Sequence, residues 1–381
     1  MRLLPTAFPR REAIVRALVA FGISQPLAVR RASAATYTVV PTGSVAEKRA
    51  RLGEVEKLFA KSPEDPYIFG EKAQLEYDIG AIERNRNFAR TISKDLADGK
   101  AIFPQSLTIG VPNMAEAVRF WTRGVGCLVQ STRLNAVGAN VTRIGFGPQS
   151  LSAEDGAKFA LELVEDRNVG AYSETSVVQY VQLATPTFRL SQVVAFGGEI
   201  ESAYGWTDAR APGGLPLRVQ IDEQRRDPFA FIALRTSDIA AAQKYYEGLG
   251  MVKVGEKKKG RDITLGQGSW GITYNDPDAT EPEREVGSVQ MSFGDPELST
   301  GLLLLPPKKK GNKLSLGSTP PRIDYLGKPP ATATAAGEDV SPDGLRSTFA
   351  EVGAFEKALA SAGKAYNEKG AFLKGAQEAL R

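Results

Sequence analysis

The chain has 381 residues, 42% of them hydrophobic, which is too long for one small domain and rich enough for two to three packed cores. The net charge of +4 is gathered at the start, where Arg2, Arg10, Arg11, Arg16, Arg30 and Arg31 face Glu12 alone, so the remainder is nearly neutral and no nucleic-acid footprint is implied. The single cysteine, Cys127, excludes an intrachain disulfide framework, and no apolar run approaches the roughly 20 residues of a membrane span.

Residues 1–34 read as an export signal. Arg10 and Arg11 precede Ile14, Val15 and a mostly apolar stretch over 17–29, and Ala32, Ser33 and Ala34 form a small-residue cleavage pattern. The pattern resembles a twin-arginine signal, whose destination would be the thylakoid lumen in a plastid-bearing organism or the periplasm in a bacterium. Residues 35–102 read as a helical extension. Val45, Leu52, Val55 and Phe59 recur at helical spacing, Pro63 and Pro66 break the run, and Leu75, Ile79 and Ile82 resume it, followed by Phe88, Ile92 and Leu96.

From Pro104 the grammar changes to a strand, a short helix and further strands. Residues 107–111 are strand-like, Ala117, Val118, Trp121 and Val125 form a helical face, and strands follow at 127–134, 141–146 and 159–164. A second module is expected over 176–222, with a strand at 177–183, a helix at 188–196 and a last strand at 217–221. The third opens at 227–254, DPFAFIALRTSDIAAAQKYYEGLGMVKV. An apolar strand over 229–234 is followed by the N-cap oxygens of Thr236, Ser237 and Asp238, a short helix with Ala242, Tyr246 and Leu249 on one face, and a half-buried strand. Strands at 262–265 and 270–274 would complete it. A fourth, degenerate module is expected over 286–326, with its helix at 297–305, and residues 216–221 match 320–325. Residues 328–344 read as a Pro/Ala/Thr/Gly linker, and 345–381 as C-terminal helices with Phe349, Val352, Phe355 and Leu359 on one face. The fold class expected is α+β, tandem βαβββ modules with helical extensions at both ends. Residues 103–228 are expected to form one domain and 229–327 another.

The DPF, LR and KYYE wording of the third module and the FGGEI of the second resemble the glyoxalase I (lactoylglutathione lyase) branch of the vicinal oxygen chelate superfamily, in its plant-type four-module form. That resemblance implies paired modules around a cleft holding a divalent metal, bound by His or Gln of first strands and Glu of later strands. It also implies isomerisation of a hemithioacetal in methylglyoxal detoxification. This chain contains no histidine. By the family's pattern Glu162 stands at a ligand position of module one and Ser106 at its first-strand position. Gln179, with Val219 or Gln220, falls at those of module two, Phe231 and Gly271 at those of module three, and Val289 or Gln290 with Asp324 at those of module four. The tentative metal positions are thus Glu162, Gln179 and Asp324, and module one could pair with two, or one with four and two with three.

The expectation is a glyoxalase-like protein with degenerate metal sites, a non-catalytic pseudoenzyme of a lumenal compartment acting in binding, docking or assembly. No resident cofactor is expected, and a divalent metal only if the protein is active. Expected partners are a protein complex, a membrane-associated photosynthetic complex among them, or a small-molecule ligand, and no nucleic acid. The alternatives are an active lactoylglutathione lyase or related metal enzyme, and a metal-free small-molecule binder.

Overall fold

The computed structural model describes residues 45–368, apart from 85–87, 99–101, 263–284 and scattered loop positions of one or two residues. The export segment 1–34, the strand expected at 270–274 and Gly271 lie outside the described residues. Val40–Arg381 forms one compact unit.

It begins with the expected helical extension, formed by α1 Val45–Phe59, α2 Pro66–Arg84 and α3 Phe88–Ala97. Val55, Leu75, Ile79, Ile92 and Leu96 are buried, as their spacing requires. Ion pairs Arg51–Glu71 (2.8 Å) and Lys48–Asp78 (2.5 Å) brace α1 against α2.

Two mixed sheets follow. The seven-stranded sheet contains β1 Phe103–Val111, β2 Leu128–Leu134, β3 Asn140–Gly145, β4 Ala160–Glu165, β14 Arg322–Leu326, β15 Glu338–Val340 and β16 Arg346–Ala350, in the order β15-β16-β14-β1-β4-β3-β2. The nine-stranded sheet contains β5 Val178–Thr185, β6 Glu199–Tyr204, β7 Trp206–Arg210, β8 Pro216–Ile221, β9 Phe229–Arg235, β10 Val252–Lys258, β11 Arg261–Asp262, β12 Val289–Ser292 and β13 Gly301–Leu305, in the order β11-β10-β12-β13-β9-β5-β8-β7-β6. The helices are α4 Met114–Arg119, running on as one wider π-helical turn Phe120–Val125, then α5 Thr187–Ala195, α6 Ile239–Gly248 and α7 Val352–Glu368. Asn113 accepts from Glu116 N to cap α4, and Asp238 accepts from the amides of Ala240 and Ala241 to cap α6, the cap expected at 236–238.

Each sheet joins two modules through an antiparallel seam, β1 with β14 and β5 with β9. Module one therefore pairs with four and two with three, and the sheets do not follow the sequential halves 103–228 and 229–327. In all four modules the last strand runs parallel beside the first: β4 beside β1, β8 beside β5, β13 beside β9 and β16 beside β14. This fixes three corrections in the chain's second half. Residues 301–305, expected as the helix of module four, are β13, the last strand of module three. The run Gly-Leu-Leu-Leu-Leu carries no periodicity of its own, and a short apolar run fits a helix or a doubly buried strand equally. Here Leu302 and Leu304 enter the main core while Leu303 and Leu305 join a second cluster with Ala230, Phe231 and Ala233 on the other face. The stretch 328–344 carries β15 rather than only a linker, and the segment from 345 begins with β16, parallel to β14, before α7.

The fourth module is thus β14, β15 and β16 without a helix among its described residues. Its signature lies in a turn. Ser341–Leu345 (SPDGL) and Ala211–Leu215 (APGGL) make the same two backbone bonds: N–H of the first residue to the fifth carbonyl, and N–H of the fourth to the first carbonyl. Gly214 (φ 85°) and Gly344 (φ 82°) occupy the left-handed position that each turn needs. The structural repeat therefore aligns 211–220 with 341–350. The match of 216–221 to 320–325 sets a last strand against a first.

The main core draws alternate residues from both sheets, among them Leu107, Ile109, Leu161, Leu163, Val181, Leu183, Leu217, Val219, Ile232, Ile323 and Tyr325, packed with Trp121, Val193 and Tyr246 of the helices. Phe229 sits at its centre, with ring contacts to Trp121, Phe146 and Phe159. Cys127 is buried there, and burial pushes its thiol well up, the opposite of the shift a thiolate nucleophile uses.

Candidate functional site

Alternation decides which side chains leave the core. Leu161 and Leu163 enter it, so Glu162 points from the opposite face of the seven-stranded sheet. Backbone register brings three positions together there. Ser106 of β1 pairs across the seam with Asp324 of β14, and Thr108, two residues on from Ser106, pairs with Glu162 of β4.

These groups form one closed network. Ser106 Oγ donates to Asp324 Oδ2 at 2.6 Å, and Thr348 Oγ1 of β16 donates to Asp324 Oδ1 at 2.5 Å. Three arginines complete it. Arg133 of β2 donates from Nη2 to Glu162 Oε2 (2.9 Å). Arg322 of β14 spans both carboxylates, Nε to Asp324 Oδ1 (2.7 Å) and Nη2 to Glu162 Oε1 (3.2 Å). Arg143 of β3 lies innermost of the three, and its Nη2 donates to Glu162 Oε2 (3.2 Å), Ser106 Oγ (3.4 Å) and Asp324 Oδ2 (3.5 Å). Its Nη1 donates to Gln149 Oε1 (3.2 Å), and Gln149 is anchored in turn on the Gln105 carbonyl (2.8 Å). The Glu162 side chain is 5% exposed, Arg143 17%, Arg322 34% and Arg133 50%, so the cluster grades from a buried floor to a solvated rim.

Burial by itself would raise the Asp324 carboxyl. The Arg322 charge, the hydroxyls of Ser106 and Thr348, and the Arg143 charge outweigh it and hold Asp324 below the usual carboxylate range. Arg322 is desolvated, yet Asp324 and Glu162 hold its guanidinium above the ordinary value.

The same register in the nine-stranded sheet identifies the equivalent positions. Gln182 of β5 pairs with Phe231 of β9 across the seam, Ala184 pairs with Gln220 of β8, and Ala233 pairs with Leu303 of β13. Gln182, Gln220, Phe231 and Leu303 thus stand where Ser106, Glu162, Asp324 and Ala350 stand in the other sheet. Gln182 Nε2 donates to Gln220 Oε1 at 2.7 Å. Arg218 donates to both oxygens of Asp208 (2.7 and 3.0 Å) and stacks its guanidinium over the Tyr180 ring.

The structure brings Glu162 and Asp324 together and leaves Gln179 elsewhere, in the other sheet. Gln179 donates to the carbonyls of Ser173 (3.0 Å) and Ser176, and accepts from Arg235 Nη2 at 3.1 Å. A register shift between Val178 and Tyr180 makes Gln182 the seam position. Of the two choices for module two, Gln220 faces the network and Val219 enters the core. Val289 and Gln290 lie on β12 of module three, not in module four, and Asp324 is a first-strand residue rather than a last-strand one. Sequence reasoning missed Arg133, Arg143, Arg322 and Gln182. The signal was present for two of them. Arg143 sits mid-strand between the buried Thr142 and Ile144, and Arg322 precedes Asp324 by two, hence on its face.

Fold and register together define an architecture of vicinal-oxygen-chelate type, two mixed sheets each made from two βαβββ-derived modules. The solved structures it matches include glyoxalase I from Zea mays (17% identity, TM-score 0.50, covering 69% of this chain and 96% of that one). Two point variants of the maize enzyme align alike, at 17% and 18% identity, TM-score 0.50, and 97% and 99% of their chains. At that identity the likeness defines the fold alone. No family model matches the chain, and no curated protein sequence matches it.

The resemblance to glyoxalase I leads one to expect a divalent metal, so the donors can be tested for fit. Among the described residues no group of three or more His, Cys, Asp or Glu side chains could hold a metal ion. Borderline dications need imidazole or thiolate beside carboxylate, and this chain has no histidine. The two carboxylates that do converge are already neutralised by three guanidiniums, one of them placed between them. In the other sheet the four positions supply two amides and two apolar side chains. The donor sets do not fit the metal.

Proposed function

We propose that this is a glyoxalase-fold protein without metal-dependent catalysis, acting by binding or assembly rather than by chemistry. The observation that carries the reading is the Arg143 guanidinium between Glu162 and Asp324, which leaves neither carboxylate available as ligand or general base. A base must be free to take the proton, and Glu162 accepts from three arginines at once. The helical segments at the two ends are the docking elements of this reading. α2 is tied to the modules through Arg189 of α5, which donates to Gln74 Oε1 (2.6 and 3.1 Å), while Phe69 on the same helix is 48% exposed. The partner is a protein complex of an exported compartment, the thylakoid lumen or a periplasm, to which the arginine pair at 10 and 11 and the small residues at 32–34 direct the chain.

The test is isomerisation of the methylglyoxal–glutathione hemithioacetal by purified protein with excess Ni²⁺, Zn²⁺, Mn²⁺ or Mg²⁺. The expected rate equals the protein-free background. A metal-dependent rate abolished by Glu162→Gln would refute the reading and establish a lyase.

A further inference from the structure

We propose that Arg143 is a built-in cation: its guanidinium fills the place between Glu162 and Asp324 that a divalent ion would otherwise take, and it converts a metal-binding geometry into a permanent staple across the β1–β14 seam. This rests on the non-catalytic reading of the same site and adds what occupies it.

Geometry carries the inference. Nη2 of Arg143 lies within hydrogen-bond distance of oxygens from three residues on three strands, Ser106 (β1), Glu162 (β4) and Asp324 (β14). A group bridging these three strands holds together residues that are 218 positions apart in sequence, Ser106 and Asp324. Charge gives the second part. Two carboxylates converging on a floor where Glu162 is 5% exposed repel each other unless a cation lies between them, and burial sharpens that repulsion. A resident metal is one solution. An arginine covalently fixed on the neighbouring strand is another, and it needs no ion from solution. Arg143 reaches the place because it pairs directly with Glu162 across β3 and β4, and Gln149 holds its second nitrogen. Arg322 braces the same two carboxylates from the rim, and Arg133 caps Glu162 there.

Removing Arg143 and Arg322 leaves six oxygens around the vacated place, two each from Glu162 and Asp324 and one each from Ser106 and Thr348, with Arg133 holding Glu162 only from the solvated rim. All are hard donors, the set that suits Mg²⁺, Ca²⁺ or Mn²⁺. The staple should therefore be exchangeable for a dication, which a purely structural ion pair elsewhere on the protein would not be.

The experiment is Mn²⁺ binding followed by electron paramagnetic resonance, on the wild-type chain and on the double variant Arg143→Ala/Arg322→Ala. The single variant Arg143→Met is tested beside them as the milder change. Wild type should bind no Mn²⁺ that Glu162→Gln removes. The double variant should gain one equivalent with Kd on the order of 10⁻⁴–10⁻³ M, lost again when Glu162→Gln is added. Its unfolding midpoint should rise with Mn²⁺ concentration, while that of wild type stays constant. Folded variants that gain no site would overturn the proposal. So would a wild-type equivalent removed by Glu162→Gln, since the place would then be open. If the variants unfold without metal, recovery of folded protein on adding Mn²⁺ supports the exchange, and failure to recover contradicts it. Lyase activity arising from the other sheet would sink the non-catalytic reading and leave this result standing.

Discussion

Replacing Asp324 by asparagine tests the energetics of the cluster. The substitution keeps shape and removes charge. Asp324 accepts from Ser106 (2.6 Å), Thr348 (2.5 Å), Arg322 (2.7 Å) and Arg143 (3.5 Å), and its side chain is 18% exposed. The amide turns one acceptor into a donor facing donors, and it leaves three guanidiniums sharing Glu162. A hydrogen bond to a charged group contributes about 1.5–3 kcal/mol, and stripping one partner from a buried pair costs about 3–5 kcal/mol. The graded exposure of the rim arginines puts the expected loss at the lower end, about 3 kcal/mol at pH 7. The pH profile supplies the sign. Asp324 has a folded-state value below its ordinary one, so its contribution is fully present above about pH 4, the unfolded value, and is lost as pH falls through the lower folded value. The stability gap between wild type and Asp324→Asn, from urea unfolding curves, should be constant from pH 7 to about pH 5 and then close. A gap under about 1 kcal/mol at pH 7, or one that widens on acidification, would mean that the Asp324 charge does not stabilise the cluster.

Gly344→Ala should cost about 1 kcal/mol or more, read by thermal unfolding, because its φ of 82° closes the SPDGL turn that positions β16. Arg226→Met should destabilise by about 3 kcal/mol. That buried guanidinium donates to the carbonyls of Ala157 and Leu298 and lies 4.2 Å from the Phe88 ring centroid, so it fastens α3 and two loops at one point. Arg189→Met should loosen the helical extension without unfolding the sheets, and hydrogen exchange should accelerate selectively in α1 and α2. Truncation after residue 327 should give insoluble protein. It removes β16 from beside β14 and unstacks Phe349 from Tyr325, whose rings lie 5.4 Å apart. A soluble, cooperatively folding fragment ending there would contradict the assignment of 338–350 to the sheet.

Much of the fold is legible where a segment has a period of its own. The sequence marks the strand–helix–strand of 229–258, because an apolar strand, an aspartate cap and a helical face at Ala242, Tyr246 and Leu249 agree with one another. The second half is less legible for physical reasons. GLLLL over 301–305 is buried on both faces and reads the same as helix or strand. Module four carries no helix among its described residues, so its strands hide in a stretch whose Pro, Ala, Thr and Gly content resembles a linker. The site divides in the same way. Glu162 and Asp324 are visible as carboxylates flanked by apolar neighbours, but which modules pair is set by β1–β14 contacts over more than two hundred residues. Gln179 is misplaced because a bulge shifts the register of β5, which no local pattern announces. The arginines were overlooked because charged residues on strands are usually solvated. Here Arg143 points to the face that the network covers.

A guanidinium, not a metal, lies between the two carboxylates. The most direct measurement is an anomalous difference map from crystals of the wild-type protein grown with Mn²⁺. The expected map shows Arg143 density between Glu162 and Asp324 and no anomalous peak there. A peak about 2.0–2.6 Å from oxygens of both carboxylates, with Arg143 swung aside, would contradict it.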